Sequence, residues 1–126
     1  MTVEKLNTIQ KINNLNGVFR IGEKGPGGAH HDYLVIMNGT NQKDTLAKAT
    51  TIEFQKGARK DDAARHGVLD NDLLEIVRDR LRCFQKGDFA CHENEMALIH
   101  IEEALLWMNK RVEDRAERNV LGTYNK

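Results

Sequence analysis

The sequence predicts an α+β fold, a small antiparallel sheet followed by a helical hairpin whose C-terminal helix is long. Three observations carry that prediction. Short stretches rich in β-branched and aromatic residues, bounded by glycine and asparagine, occupy the first half. Two longer stretches with apolar residues three and four apart occupy the second. The turn from Lys86 to Phe89 between them is short enough to fold one helix back on the other. At 126 residues the chain is expected to be a single domain over 1–126, with an N-terminal segment and sheet in 1–67 and the hairpin in 68–122.

Val3, Leu6, Ile9, Ile12 and Leu15 recur three apart and predict one face of a short helix. The stretch Asn13 to Gly17 supplies turn residues. Val18 to Gly22 reads as a strand, with Phe19 and Ile21 on one face and Arg20 on the other. The stretch Gly22 to His31 is the richest in glycine and holds the only proline; it reads as a hairpin loop. It is not a phosphate-binding P-loop, because the Gly-Lys-Ser/Thr ending is missing. A second strand starts at Asp32, a turn is signalled around Gly39, and a third strand starts at Thr50, where Ile52 and Phe54 alternate with Thr51, Glu53 and Gln55. The charged stretch from Ala58 to Gly67 reads as a loop.

Asp70 is placed to cap a helix running to about Lys86, with Gly87 at its far end and Leu73, Leu74, Val77, Leu81 and Phe84 on its apolar face. The last helix is expected between Asp88 and Gly122, with Gly122 as its stop. Its seam is Leu98, Ile101, Leu105, Met108 and Val112, spaced 3, 4, 3, 4. That seam is nearly symmetric about Leu105, so it suits antiparallel packing against a second copy around a twofold axis, and equally suits packing on the first helix of its own chain. Asn94 and Arg115 extend it at the two ends, roughly 30 Å apart at about 1.5 Å per residue. One chain therefore cannot bring both to one small ligand; an antiparallel pair of chains can. Arg111, Arg115 and Arg118 share a helical face; beside Glu113, Asp114 and Glu117 they form either a solvated, salt-bridged face or an anion clamp. Phe84 is either core or an aromatic platform for a base.

Nineteen basic and nineteen acidic side chains give a formal net charge of zero, which argues against a nucleic-acid polymer as partner. Charged residues make up 30% and aromatics only 6%, a balance that favours stabilisation by subunit contacts. No signal peptide, membrane-spanning run or lipidation motif is visible, so no membrane partner and a cytoplasmic location are expected, with Cys83 and Cys91 reduced. Two cysteines and scattered histidines lack the spacing of a zinc site, so no metal and no cofactor are expected.

With these residues in place, the chain resembles the first-described Thoeris anti-defence sponge family of phage proteins. The resemblance lies in the stretches Phe19 to Tyr33, Thr51 to Gly57, Gly67 to Arg111 and Asp114 to Tyr124. It implies a protein that is not an enzyme and that sequesters cyclic ADP-ribose isomers, 1″–2′ or 1″–3′ glycocyclic ADP-ribose, made by TIR-domain proteins. It also implies a pocket shared by two chains, with Phe84, Asn94, Arg111 and Arg115 at the family's binding positions. Homodimers are then expected to assemble into a homohexamer, with a separate site for cyclic trinucleotides of CBASS signalling, for which Arg59, Lys60 and Arg65 are candidates. In the host bacterial cytoplasm such a protein blocks Thoeris immunity. On this reading Phe84 stacks on adenine, Arg111 and Arg115 hold the pyrophosphate with Arg118 nearby, and Asn94 bonds a ribose hydroxyl or base edge. Gly25, Gly27 and Gly28 let a loop close, with His30 or His31 at its rim. Two other classes stay open: a cyclic-nucleotide hydrolase using His30, His31 or His92 with Glu93 or Asp88, and a helix-mediated interaction module without a nucleotide.

Overall fold

The structure, a computed structural model, describes residues 2–10, 16–37 and 48–126. Its strands are β1 (Val3–Lys5), β2 (Asn16–Ile21), β3 (Asp32–Met37) and β4 (Lys48–Glu53), and its helices are α1 (Asp70–Gln85) and α2 (His92–Glu117). The α+β class expected from the sequence is present, with four antiparallel strands in the order β1-β2-β3-β4. The chain forms two compact units, one of residues 1–57 and 63–67 and the other of residues 58–62 and 68–126.

Within the first unit, pairing puts Val18 opposite Val35 and Tyr33 opposite Ile52, so one sheet face carries β-branched and aromatic side chains. Phe19 pairs with Leu34 on the other face, and its ring lies over Gly17, where a Cβ would sit 2.9 Å from the ring edge. That close approach explains the glycine. Tyr33 and Phe54 meet edge to face at 5.6 Å. Glu4 and Arg20 are cross-strand partners, 3.1 Å apart. Arg65 holds residues 63–67 to the sheet, donating to Asp32 at 2.8 Å and to the carbonyls of His31 and Phe54.

The N-terminal segment corrects the expectation of a helix, because Val3–Lys5 is a strand paired with β2. A constant spacing of three drifts by about 60° per step around a helix of 3.6 residues per turn, so the five positions from Val3 to Leu15 would spread over about 240° rather than share one helical face. Ile12, Leu15 and the turn around Gly39 lie outside the described residues.

In the second unit, α1 and α2 form the expected hairpin. Leu74, Arg78, Leu81 and Gln85 of α1 are half-buried, as are Asn94, Leu98, Ile101, Leu105 and Met108 of α2. The seam of α2 therefore faces α1 of its own chain. Arg78 bridges the helices, its Nε donating to Glu102 at 2.9 Å and its Nη1 to Glu75 at 3.4 Å. The Glu102 hydrogen bond raises the Arg78 guanidinium above its ordinary value, with desolvation opposing and Glu75 adding. Gln85 closes the turn by accepting from the Cys91 amide and donating to the Cys91 carbonyl, both at 3.1 Å.

The helix ends also differ from expectation. Asp70 does not cap α1; Leu69 takes the extended cap position, and its amide donates to Asp72 at 2.8 Å. α2 starts after Cys91, leaving Asp88 in the turn, and it stops before Gly122. The stop is Asn119, whose φ of 57° lets its own amide reach the Ala116 carbonyl and the Val120 amide reach the Arg115 carbonyl. These are the paired bonds of a Schellman ending, with asparagine where glycine is more usual.

A Cβ at Gly67 would sit 2.5 Å from the Glu53 carbonyl oxygen, whereas one at Gly87 meets nothing closer than 3.9 Å. Gly67→Ala should therefore destabilise the protein by about 1–3 kcal/mol, and Gly87→Ala should stay within about 0.5 kcal/mol of the parent. Denaturant melts of the two variants check the contrast.

Candidate functional site

Phe84 lies in the last turn of α1 and Asn94 in the first turn of α2, so the hairpin brings both to its turn end. The Phe84 ring is 40% exposed and carries the Arg80 guanidinium 5.5 Å from its centroid. It is thus neither core nor idle: a cation already sits against the ring, and part of the ring remains open to a second planar group. Asn94 is half-buried.

Arg111, Arg115 and Arg118 lie toward the other end of α2 and differ sharply from one another. Arg111 is exposed and makes no hydrogen bond to the described residues. Arg118 is tied to Asp114 at 3.1 Å and to the Lys126 carbonyl at 2.8 Å. Arg115 is 8% exposed, and its Nη2 donates to the carbonyls of Val120 at 3.0 Å and Thr123 at 3.1 Å. The described chain therefore separates Phe84 and Asn94 from the arginines by most of the length of α2. Seventeen residues from Asn94 to Arg111 correspond to roughly 25 Å at about 1.5 Å per residue.

The glycine-rich loop belongs to the other unit. Gly22, Gly27 and Gly28 take φ values of 79°, 78° and 79°, which suit glycine, and Pro26–Gly28 forms a short 3-10 turn. His30 Nδ1 donates to the Gly22 carbonyl at 3.1 Å and His31 Nε2 to the Pro26 carbonyl at 2.8 Å. Gly25 lies against the His31 ring, 3.1 Å from a Cβ placed there. Both histidines thus serve the loop itself.

Sequence reasoning missed a second apolar stripe on α2. Met96, Ile99 and Leu106 fall on the side of the helix away from the seam at 100° per residue, and Leu106 is 72% exposed. Trp107 lies beside them with Lys110 5.4 Å from its ring. The signal was present as a 3, 7 spacing broken by Glu103, which concealed it. An open groove of about 550 Å³ runs beside Leu105 and Leu106, and Arg78, engaged by Glu75 and Glu102, is among its lining residues. No cluster of three or more His, Cys, Asp or Glu residues placed to hold a metal occurs among the described residues. No helix among them is long and apolar enough to cross a membrane.

Residues 47–113 match the hairpin domain of Acb2/Tad1. A stretch of 84 residues is 44% identical to Thoeris anti-defense 1 of Bacillus phage SBSphiJ7, covering 67% of this chain and 58% of that protein. The chain thus spans less than two thirds of that relative's length.

The arginines should separate in a thermal melt without any ligand. Arg115→Ala leaves two carbonyls unpartnered and should cost about 1–3 kcal/mol, whereas Arg111→Ala should change stability by less than about 0.5 kcal/mol.

Proposed function

The chain belongs to the Acb2/Tad1 hairpin family, and on that premise we propose that it is a phage anti-defence protein that sequesters glycocyclic ADP-ribose without cleaving it. The observation that carries this reading is the family match across the hairpin, which contains Phe84, Asn94 and Arg111. The relative's name, Thoeris anti-defense 1, supports the immune pathway as the target.

The geometry supports a pocket completed by two chains. Phe84 and Asn94 sit at one end of the hairpin and the arginines toward the other, so an antiparallel partner supplies what each chain lacks. The half-exposed Phe84 ring stacks on adenine, and Asn94 bonds a ribose hydroxyl or base edge. Arg111, with no hydrogen bond to the described residues, pairs with the pyrophosphate, and the unengaged Nε and Nη1 of Arg115 add donors. Tight retention requires enclosure and slow release rather than a nucleophile. The twofold axis crosses α2 at a right angle near Leu105 and Leu106, and Val112 at 36% exposure and the Met96, Ile99 and Leu106 stripe remain to be covered. Further assembly of dimers into a hexamer, and a separate cyclic-trinucleotide site, belong to the same reading.

Two results test it. Arg111→Ala should release bound glycocyclic ADP-ribose at least about 100-fold faster, the loss of a charge-assisted bidentate contact, and ligand freed by heating the parent protein should be intact in mass spectrometry. A linearised product would replace the sponge with the hydrolase. Separately, Leu106→Glu should convert the dimer to a monomer in light scattering while the hairpin stays folded, since Leu106 is largely exposed in the single chain; a variant that remains dimeric overturns the α2 interface.

A further inference from the structure

The C-terminal tail is tied at several points, the Arg118 bond to the Lys126 carbonyl at 2.8 Å among them. Arg115 Nη2 donates to the carbonyls of Val120 and Thr123, at 3.0 and 3.1 Å. The carbonyl of Gly122, between them, accepts from the Lys60 amide at 2.9 Å. The Tyr124 hydroxyl donates to Asp61 at 2.9 Å. Gly122 has a φ of 77°, and a Cβ there would lie 3.2 Å from Lys60 Cγ, so its backbone is pressed against the turn that carries Arg59 and Lys60. This arrangement places residues 58–62 in the same compact unit as the hairpin, separate from the residues on either side of them.

We infer that the tail from Val120 to Lys126 is a positioning element of the binding site, orienting the Arg115 guanidinium and fixing the 58–62 turn through Gly122 and Tyr124. The physical reasoning rests on which donors are spent. A guanidinium has five N–H groups in one plane. Anchoring Nη2 on two backbone carbonyls fixes that plane and leaves Nε and Nη1 without a partner among the described residues. An arginine on a solvated helix face would instead lose its rotamer freedom when a ligand arrives, which weakens binding. The tail removes that cost beforehand. The Asn119 ending makes this possible, because the left-handed residue reverses the chain and sends Val120 and Thr123 back over Arg115. Tyr124, Asp61, Gly122 and Thr123 are then positioning residues that need not touch ligand.

The inference rests on the sequestration reading, and its test separates the two. The full chain, a variant ending at Asn119, Tyr124→Phe, and Arg115→Ala with and without the truncation are compared. Without ligand, the Lys60 amide and the Arg115 Nη2–H groups are followed by hydrogen exchange in NMR. With 1″–3′ glycocyclic ADP-ribose, dissociation is timed. Truncation should remove protection at both groups and speed dissociation about 10- to 100-fold, and Tyr124→Phe should reduce Lys60 protection and speed release about threefold. Arg115→Ala in the truncated protein should add less than it does in the full chain, because the two changes break one linkage. Unchanged protection in the truncated protein overturns the inference. Lost protection with unchanged release makes the tail merely structural and overturns it too. A parent protein that binds no ligand, with both groups still protected, overturns the sequestration reading instead.

Discussion

Among the described residues no apolar side chain is buried, and this constraint shapes everything else in the chain. Burial of apolar surface is the main favourable contribution to folding. Here it is incomplete on both units, with seam residues such as Leu98 and Leu105 only half-covered by α1. The proposed antiparallel partner addresses that deficit directly, since the same helix that needs covering also carries the residues that one chain cannot bring together. Stability and ligand capture would then depend on one association.

Polar contacts supply the definition that a thin core does not. Arg78 fixes the register of α1 on α2 through Glu102, and Gln85 fixes the turn through both backbone groups of Cys91. The Arg78 pair is about one third exposed and so contributes modestly to stability. Its directionality matters more, because a hairpin with few enclosed side chains could otherwise slide. Arg65 does the same work for residues 63–67 in the sheet unit, reaching one carboxylate and two carbonyls. Its engagement in those bonds leaves Arg65 less suited than Arg59 or Lys60 to an external anion.

Much of this was legible in the sequence because periodicity reports burial. The 3, 4 spacing from Leu98 to Met108 found the face that meets α1, and alternation around Val18 and Asp32 found β2 and β3. Repetition at a constant three did not, since the five positions from Val3 to Leu15 only look helical when drift around the axis is ignored. Helix ends were misplaced where a side chain several residues away did the capping, as with Asp72 at Leu69. At Asn119 the deciding property was backbone conformation, and a glycine three residues later was the louder signal. The arginine triplet was visible as a pattern, yet nothing in the spacing distinguished the enclosed Arg115 from the open Arg111. That distinction comes from a tail whose return path depends on Asn119.

The assignment of residues 58–62 to the helical unit, between two segments that belong to the sheet, has an evolutionary consequence. The chain passes from one unit to the other three times within about ten residues, so no single crossover point separates them. A recombination event that joined a foreign sheet to residues 68–126 would deliver the hairpin without the turn that its tail holds. The family match beginning at residue 47, inside the stretch leading into β4, fits a unit of inheritance larger than the two helices. Exchange between relatives should therefore keep residues 58–62 together with the two helices and the tail that holds them.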